Sequence, residues 1–178
     1  EDFSKSRVIF MTYAKPMGDG MSATAAARAV LSADGTSLSD VRDVFVQDPP
    51  SPNAMHYGSR VVPQGDYLFI TTGEHFSQRE REFAQDLDKT YGKIVRVNLS
   101  GGAAEGNPFD NEVWTLGHRN VQGADIRPSD GTLWALEHGA AGGDELNKIT
   151  AGANYGWPVV SYGVNYNGLP IGSGDARA

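Results

Sequence analysis

The chain has 178 residues, a net charge of -7, 22 glycines, nine prolines and no cysteine. This length suits one domain or part of one, the negative charge argues against a nucleic-acid partner, and the lack of cysteine excludes disulfides. No run of 18 apolar residues occurs, so no transmembrane helix is expected, and the many glycines and prolines favour a β-rich protein with frequent turns.

The first fifty residues read as three strands separated by turns. Residues 7–13 (RVIFMTY) are β-branched and aromatic, which predicts a strand, and residues 15–20 hold the Pro and Gly of a predicted turn. Residues 25–32 (AAARAVLS) contain helix-forming alanines, but Asp-Gly follows directly and their length suits a strand. Residues 41–47 (VRDVFVQ) are the third predicted strand.

An internal repeat follows. Residues 58–69 (GSRVVPQGDYLF) align with residues 123–134 (GADIRPSDGTLW) at a single offset, and each copy predicts a strand, a Pro/Gly turn and a second strand. Repeated antiparallel units of this kind are typical of a β-propeller. Because the repeat is longer than a usual blade, residues 74–91 are predicted to be an insertion, with a short helix between Arg79 and Leu87.

The predicted fold class is therefore all-β, with residues 1–178 as part of a single propeller domain. Two or three blades fit this length, which is too few to close a ring, so we expect a piece of a longer protein. The alternative is a small β-sandwich that is complete as it stands.

Two side chains are candidates for chemistry. His56 follows a proline-rich loop and precedes a predicted strand, and an ordinary histidine can take a proton near neutral pH. Arg119 is a permanent planar cation suited to a carboxylate or a developing oxyanion. The alternatives are a structural or surface histidine and an arginine that forms a salt bridge to a neighbouring blade.

A glycine-rich stretch is a candidate calcium site. Gly139 and Ala140 are followed by Asp144 and Glu145, and calcium accepts backbone carbonyl oxygens of the kind that such turns expose. The spacing does not match an EF-hand loop, and a set of solvated turns is the alternative.

Eight segments, in a fixed order, carry a resemblance to a known family. The chain from residue 7 to residue 171 resembles the glucose/sorbosone dehydrogenase family, the soluble PQQ-dependent aldose sugar dehydrogenases built on a six-bladed β-propeller. The segments are HYGSR (56–60), YLFITTGE (67–74), QDLDKTYGKIVRV (85–97), NPFDN (107–111), VWTLGHRNVQG (113–123), LWALEHG (133–139), GGDELN (142–147) and GANYGWPVVSYGVNY (152–166).

The resemblance implies roles for particular residues. His56 would be the catalytic base that removes the proton of the anomeric hydroxyl while hydride passes to the C5 carbonyl of PQQ. Arg119 and Asn120 would lie over the quinone, with Arg119 also counted as catalytic because it stabilises negative charge on the reduced cofactor. Gly139 and Ala140, in the turn that follows, are the implied metal and cofactor ligands. Their backbone carbonyls would hold the calcium that binds PQQ.

A second, structural calcium is implied as well. Its ligands would be the carboxylate of Glu145 and the carbonyl of Tyr155. Two positions depart from the family pattern: Met55 stands where some members carry an acidic residue, and Ala140 replaces the usual proline. The family's later basic residues, which bind the PQQ carboxylates, would lie beyond Ala178.

The implied function is PQQ- and calcium-dependent oxidation of an aldose at C1 to the lactone, with electrons passed to an external acceptor. The implied location is the periplasm or the outside of the cell. Two alternatives from other classes are a non-catalytic, calcium-stabilised propeller that serves as a binding module, and a calcium-dependent lactonase-type hydrolase.

Overall fold

The computed structural model describes residues 3–174 and contains three antiparallel sheets, preceded by a short helix, α1 (Phe3–Ser6). The first sheet has the strands β1 (Val8–Gly18), β2 (Met21–Leu31) and β3 (Leu38–Val46), in that order. The three strands predicted in this part of the chain are confirmed.

The turn predicted at residues 15–20 is wrong for most of its length. Lys15 pairs with Ala23 and Pro16 pairs with Ser22, so β1 continues to Gly18 and the reversal is confined to Asp19 and Gly20. The left-handed backbone of these two residues, with φ of 50° and 74°, makes the tight reversal possible.

The second sheet has four consecutive strands, β4 (Gly58–Gln64), β5 (Tyr67–Thr72), β6 (Ile94–Asn98) and β7 (Val113–Thr115). The third has β8 (Val121–Ile126), β9 (Leu133–Glu137) and β10 (Glu145–Lys148), with β9 in the middle.

The sequence repeat corresponds to a structural one. The first copy is the β4–β5 hairpin and the second is the β8–β9 hairpin, and both contain a break in register near the repeated glycine. At Gly58, where φ is 65°, a Cβ would lie 2.8 Å from the backbone of Thr72, so the close approach of the two strands requires glycine.

The second sheet carries core residues on both of its faces. Leu68 and Ile70 of β5 pack with Ala26 and Phe45 of the first sheet, whereas Phe69 packs toward the third sheet. This is the alternation expected of a strand. The alanines of β2 that looked helix-forming lie in this packed layer, where small side chains let the sheets approach.

The insertion at residues 74–91 is a closed loop between β5 and β6. The predicted short helix is present as a 3₁₀ helix, Glu80–Gln85. The N–H of Gly92 donates to the carbonyl of Gly73 at 3.2 Å, so the two ends of the loop are adjacent.

Lys93 anchors this loop from inside the protein. Its side chain is fully buried, and Nζ donates to the carbonyl oxygens of Phe83, Ala84 and Tyr91 at 2.8, 3.0 and 2.7 Å. No helix within residues 3–174 is long and apolar enough to cross a bilayer.

Candidate active site

A short contact joins His56 to Glu74. Nδ1 of His56 lies 2.6 Å from Oε1 of Glu74, whose residue is only 1% exposed. A carboxylate accepts hydrogen bonds, so Nδ1 is the donor of this pair and Nε2 is the ring nitrogen left to accept a proton. The ring of Phe76 packs on His56 at 4.9 Å between centres, and the Phe76 N–H donates to the same carboxylate oxygen at 3.2 Å.

The local backbone explains why this pair forms. His56 lies in the loop before β4, and Glu74 follows β5 by one glycine. A Cβ at Gly73 would lie 1.7 Å from the carbonyl oxygen of His56, so only glycine lets the two segments meet. His56 itself has a φ of 47°, a strained conformation of the kind that is concentrated at functional sites.

Arg119 is a buried cation held in one orientation. Its Nη1 donates to the carbonyl oxygens of His138, at 3.0 Å, and Gly139, and its backbone N–H donates to Oε1 of Glu137. The guanidinium also lies over the indole of Trp157, 5.4 Å from the ring centre. The contacts with backbone carbonyls and with the indole ring therefore fix the side chain of Arg119. The residue as a whole is 3% exposed.

Asn120 connects the two parts of the site. Its Oδ1 accepts the N–H of Gly58 at 3.1 Å, and its carbonyl accepts the N–H of His138 at 3.2 Å. The carbonyl of Arg119 accepts the N–H of Glu74 at 3.1 Å. The second sheet, which bears His56 and Glu74, is thus tied directly to the turn after β9.

A cavity of about 640 Å³ is lined in part by Glu74 and Arg119, whereas His56, Asn120 and Gly139 do not belong to its lining. This volume lies in the range of small-molecule sites. Its wall combines three aromatic rings, two guanidinium groups, several amides and one carboxylate, a mixture suited to a polar ligand with a flat or ring-shaped body. The lining includes Glu74, Phe76, Arg81, Arg119, Ala140, Trp157, Asn165 and Tyr166.

Three of the four predicted metal ligands border a second, small pocket that shares Arg119 and Trp157 with the large cavity. Gly139, Glu145 and Tyr155 line it together with Glu137, whereas Ala140 lines the large cavity. Burial raises the pKa of Glu145, and the neighbouring charge of Glu137 raises it further, which is an arrangement that a cation would relieve.

Glu145 and the backbone carbonyls of this pocket are oxygen donors of the kind that calcium binds, and the Arg119 cation lines the pocket as well. The Tyr155 hydroxyl donates to the Lys148 carbonyl at 2.7 Å and its ring stacks on His118, so its backbone carbonyl is the group that would serve as a ligand. In residues 3–174, no three His, Cys, Asp or Glu side chains surround a common point. The metal assignments stay predictions.

Several side chains of the site were not singled out from the sequence. Glu74 and Glu137 were read only as parts of motifs, and Arg81, Trp157 and Tyr166 had no assigned role. A weak signal for Glu74 was available, because it follows the apolar strand YLFITT after one glycine. Met55, next to His56, is 49% exposed and does not line the large cavity.

The family model described as Glucose / Sorbosone dehydrogenase matches residues 1–178. The chain belongs to the glucose/sorbosone dehydrogenase family. The resemblance predicted from the eight segments is therefore confirmed.

Individual relatives agree with this assignment. Aldose sugar dehydrogenase YliI of Escherichia coli K12 is 42% identical over 177 residues, covering 96% of this chain and 47% of the relative. The apo structure of the soluble aldose sugar dehydrogenase from Escherichia coli superposes with a TM-score of 0.90 at 40% identity, covering 97% of this chain and 51% of that one.

A third similar structure is the PQQ-bound form of aldose sugar dehydrogenase from Streptomyces coelicolor. It superposes with a TM-score of 0.77 at 30% identity, covering 99% of this chain and 50% of that one. The chain thus spans about half the length of the relatives it matches, and its three sheets correspond to part of their propeller. The predicted all-β, partial-propeller fold is confirmed.

Proposed function

We propose that the protein oxidises an aldose sugar at C1 to the lactone, using PQQ and calcium, and passes the electrons to an external acceptor. The observation that carries this proposal is the 2.6 Å contact between Nδ1 of His56 and the buried carboxylate of Glu74, a residue that lines the same cavity as the cation of Arg119. The names of the relatives above, which include sugar dehydrogenases and a PQQ-bound form, support the same reaction class.

His56 would act as the base. Its Nε2 accepts the proton of the sugar C1 hydroxyl, while the C1 hydrogen leaves with its electron pair, so the sugar loses two electrons and becomes the lactone. Glu74 holds the ring in the required tautomer and stabilises the imidazolium that forms. PQQ, when bound, supplies the two-electron acceptor.

The lining of the large cavity fits a planar, anionic quinone. Arg119 and Trp157 offer a fixed cation and an aromatic face, and Nε1 of Trp157 is a buried donor without a hydrogen-bond partner among the described residues. The residues that would hold PQQ are Arg119 and Ala140, which line the cavity, and their chain neighbours Asn120 and Gly139. Arg119 would stabilise negative charge next to the sugar.

Calcium is proposed at two places. The carbonyls of Gly139 and Ala140 would hold the ion next to PQQ, and Glu145 with the Tyr155 carbonyl would hold a structural ion. Bound calcium acts as a Lewis acid toward a carbonyl oxygen.

The test is His56→Ala in the full-length protein, with PQQ and calcium added. We expect sugar-dependent dye reduction to fall by about 10²- to 10⁴-fold, the usual contribution of a general base. Circular dichroism and PQQ binding should stay at wild-type values. Full turnover in this variant would remove His56 from the base role.

The same assay separates the alternatives. A lactonase would hydrolyse lactones without quinone, and a binding module would show no turnover in the wild-type protein. For location, we propose the periplasm or the outside of the cell, supported by the family resemblance. Fractionation of the source cells tests this, and recovery of the full-length protein in the cytoplasm alone would overturn it.

A further inference from the structure

Arg81 is a second cation in the wall of the large cavity, and it lacks a strong partner. Its Nε is buried and has no hydrogen-bond partner among the described residues, while its guanidinium contacts the neutral Oδ1 of Asn165 through Nη1 at 3.2 Å. The carboxylate of Glu82 lies 3.6 Å from Nε, beyond hydrogen-bond length, on a side chain that is 64% exposed. An exposed pair of this kind contributes little.

Arg81 and Arg119 meet at one indole ring. Their Cζ atoms lie 5.9 and 5.4 Å from the centre of the Trp157 ring. The side chain of Arg119 likewise bonds to neutral oxygens, the carbonyls of His138 and Gly139, with the Tyr166 hydroxyl at 3.4 Å.

The cavity therefore has more positive than negative charge available to a ligand. Besides the two guanidinium groups its lining contains one carboxylate, Glu74, which is already engaged by His56. Two cations near one ring repel each other unless an anion lies between or beside them. In a chain with a net charge of -7, such a pair is a local feature of this cavity.

The backbone holds Arg81 in place before any ligand arrives. Its N–H donates to the carbonyl of Ser77 at 2.9 Å, and the end of its 3₁₀ helix is fixed by the bonds from Lys93. On the other side, the carboxylate of Glu80 accepts bonds from Ser51 and Asn53 at 2.8 to 3.0 Å. A cation positioned in this way loses little entropy on binding.

We propose that Arg81 binds a carboxylate group of the molecule that occupies the cavity. Arg81 lines the cavity, and the terminal nitrogens of its guanidinium are planar donors that match a carboxylate. Two sources carry this chemistry, the carboxylates of PQQ and the carboxylate of an acidic sugar such as a uronate. The inference rests on the proposed function and adds one binding residue, Arg81, from the insertion at residues 74–91.

The experiment compares Arg81→Gln and Arg81→Lys in the full-length protein. Arg79→Gln is the matched control, since Arg79 is exposed and lies outside the cavity lining. PQQ affinity is measured on the apo-protein by absorbance titration, and kcat/KM is measured on the loaded enzyme for glucuronate and for glucose.

If the carboxylate belongs to the cofactor, Arg81→Gln weakens PQQ binding by about 10- to 100-fold, the usual value of a charge-assisted bond, and leaves the ratio of the two sugars unchanged. If it belongs to the substrate, PQQ affinity is unchanged and the glucuronate-to-glucose ratio falls by a similar factor. In either case Arg81→Lys should lose less than Arg81→Gln.

Two results count against the inference. Unchanged PQQ affinity and an unchanged sugar ratio in Arg81→Gln, with a wild-type protein that binds and turns over, would overturn it while leaving the proposed function in place. A loss of thermal stability in both Arg81 variants without any ligand effect would show a structural role and overturn it as well. A wild-type protein that neither binds PQQ nor oxidises either sugar would overturn the proposed function, and this inference with it.

Discussion

Nδ1 of His118 donates to Oε2 of Glu137 across 2.8 Å, and both side chains are buried. The other ring nitrogen, Nε2, lies 2.9 Å from the Thr115 hydroxyl and accepts a hydrogen bond from it. The second oxygen of Glu137 accepts the backbone N–H of Arg119. This carboxylate therefore sets the position of the cation that the proposed chemistry needs.

Glu137→Gln should weaken both stability and ligand binding. The amide replaces one acceptor oxygen by a donor that faces an N–H group, and a buried donor without an acceptor costs about 1–3 kcal/mol. We expect the free energy of unfolding in urea to fall by about that amount and PQQ affinity to fall with it. Glu105→Gln, at an exposed position, is the control, and equal stability of the two variants would contradict the prediction.

Glu74→Gln should lower turnover without unfolding the protein. The neutral amide no longer stabilises the His56 imidazolium and can favour the wrong tautomer, so kcat should fall by about 10- to 100-fold. PQQ affinity and thermal stability should change far less than kcat. A variant with wild-type kcat would show that the 2.6 Å contact has no part in the reaction.

Acidification should reduce the activity of the full-length enzyme. A protonated His56 has no lone pair with which to accept the sugar proton, so kcat/KM should fall as the pH is lowered. The measurement is a pH–rate profile with stability checked at each pH. A profile without any loss of rate on the acid side, in a protein that stays folded, would exclude His56 as the base.

Lys93 should make stability depend on pH in the alkaline range. Burial lowers its pKa from 10.5 to about 7, so between these values the unfolded chain binds a proton that the folded chain does not. Stability should therefore rise as the pH increases through this window, by up to about 1.4 kcal/mol per pH unit, while the cost of the buried charge is fully present below it.

Lys93→Met should remove this slope. Urea unfolding at several pH values measures it, and Lys148→Met at an exposed position should keep the wild-type slope. Identical slopes in the wild type and Lys93→Met would show that the ammonium group is not the source.

Calcium binding should depend on Glu145 and on pH. Because burial raises the pKa of this carboxyl, protons compete with the ion at higher pH than for an ordinary glutamate. We expect calcium affinity, measured by calorimetry, to fall on acidification, and Glu145→Gln to lower it by about tenfold or more at neutral pH. Glu105→Gln should bind calcium normally, and unchanged affinity in Glu145→Gln would remove this residue from the ligand set.

The local pattern of the sequence predicted the strands better than the site. Alternating apolar residues and repeated turns predicted the β4–β5 and β8–β9 hairpins, because these depend on neighbours along the chain. The partnership of His56 with Glu74 spans 18 residues and depends on a close backbone approach at Gly73, which composition does not reveal. The cavity role of Arg81 depends on a contact with Asn165, 84 residues away.

The loop of residues 74–91 begins directly after Gly73 and ends directly before Gly92. These two glycines are hydrogen-bonded to each other. Because the entropy of closing a loop grows only slowly with its length, residues can be added or removed here at small cost to the sheet. The ligand specificity of the site could thus be changed, in evolution or in the laboratory, by exchanging this one loop. Loop exchanges that retain Glu74, Phe76, Glu80 and the acceptors of Lys93 would change the rest of the ligand-facing wall while the base and its strands stay where they are.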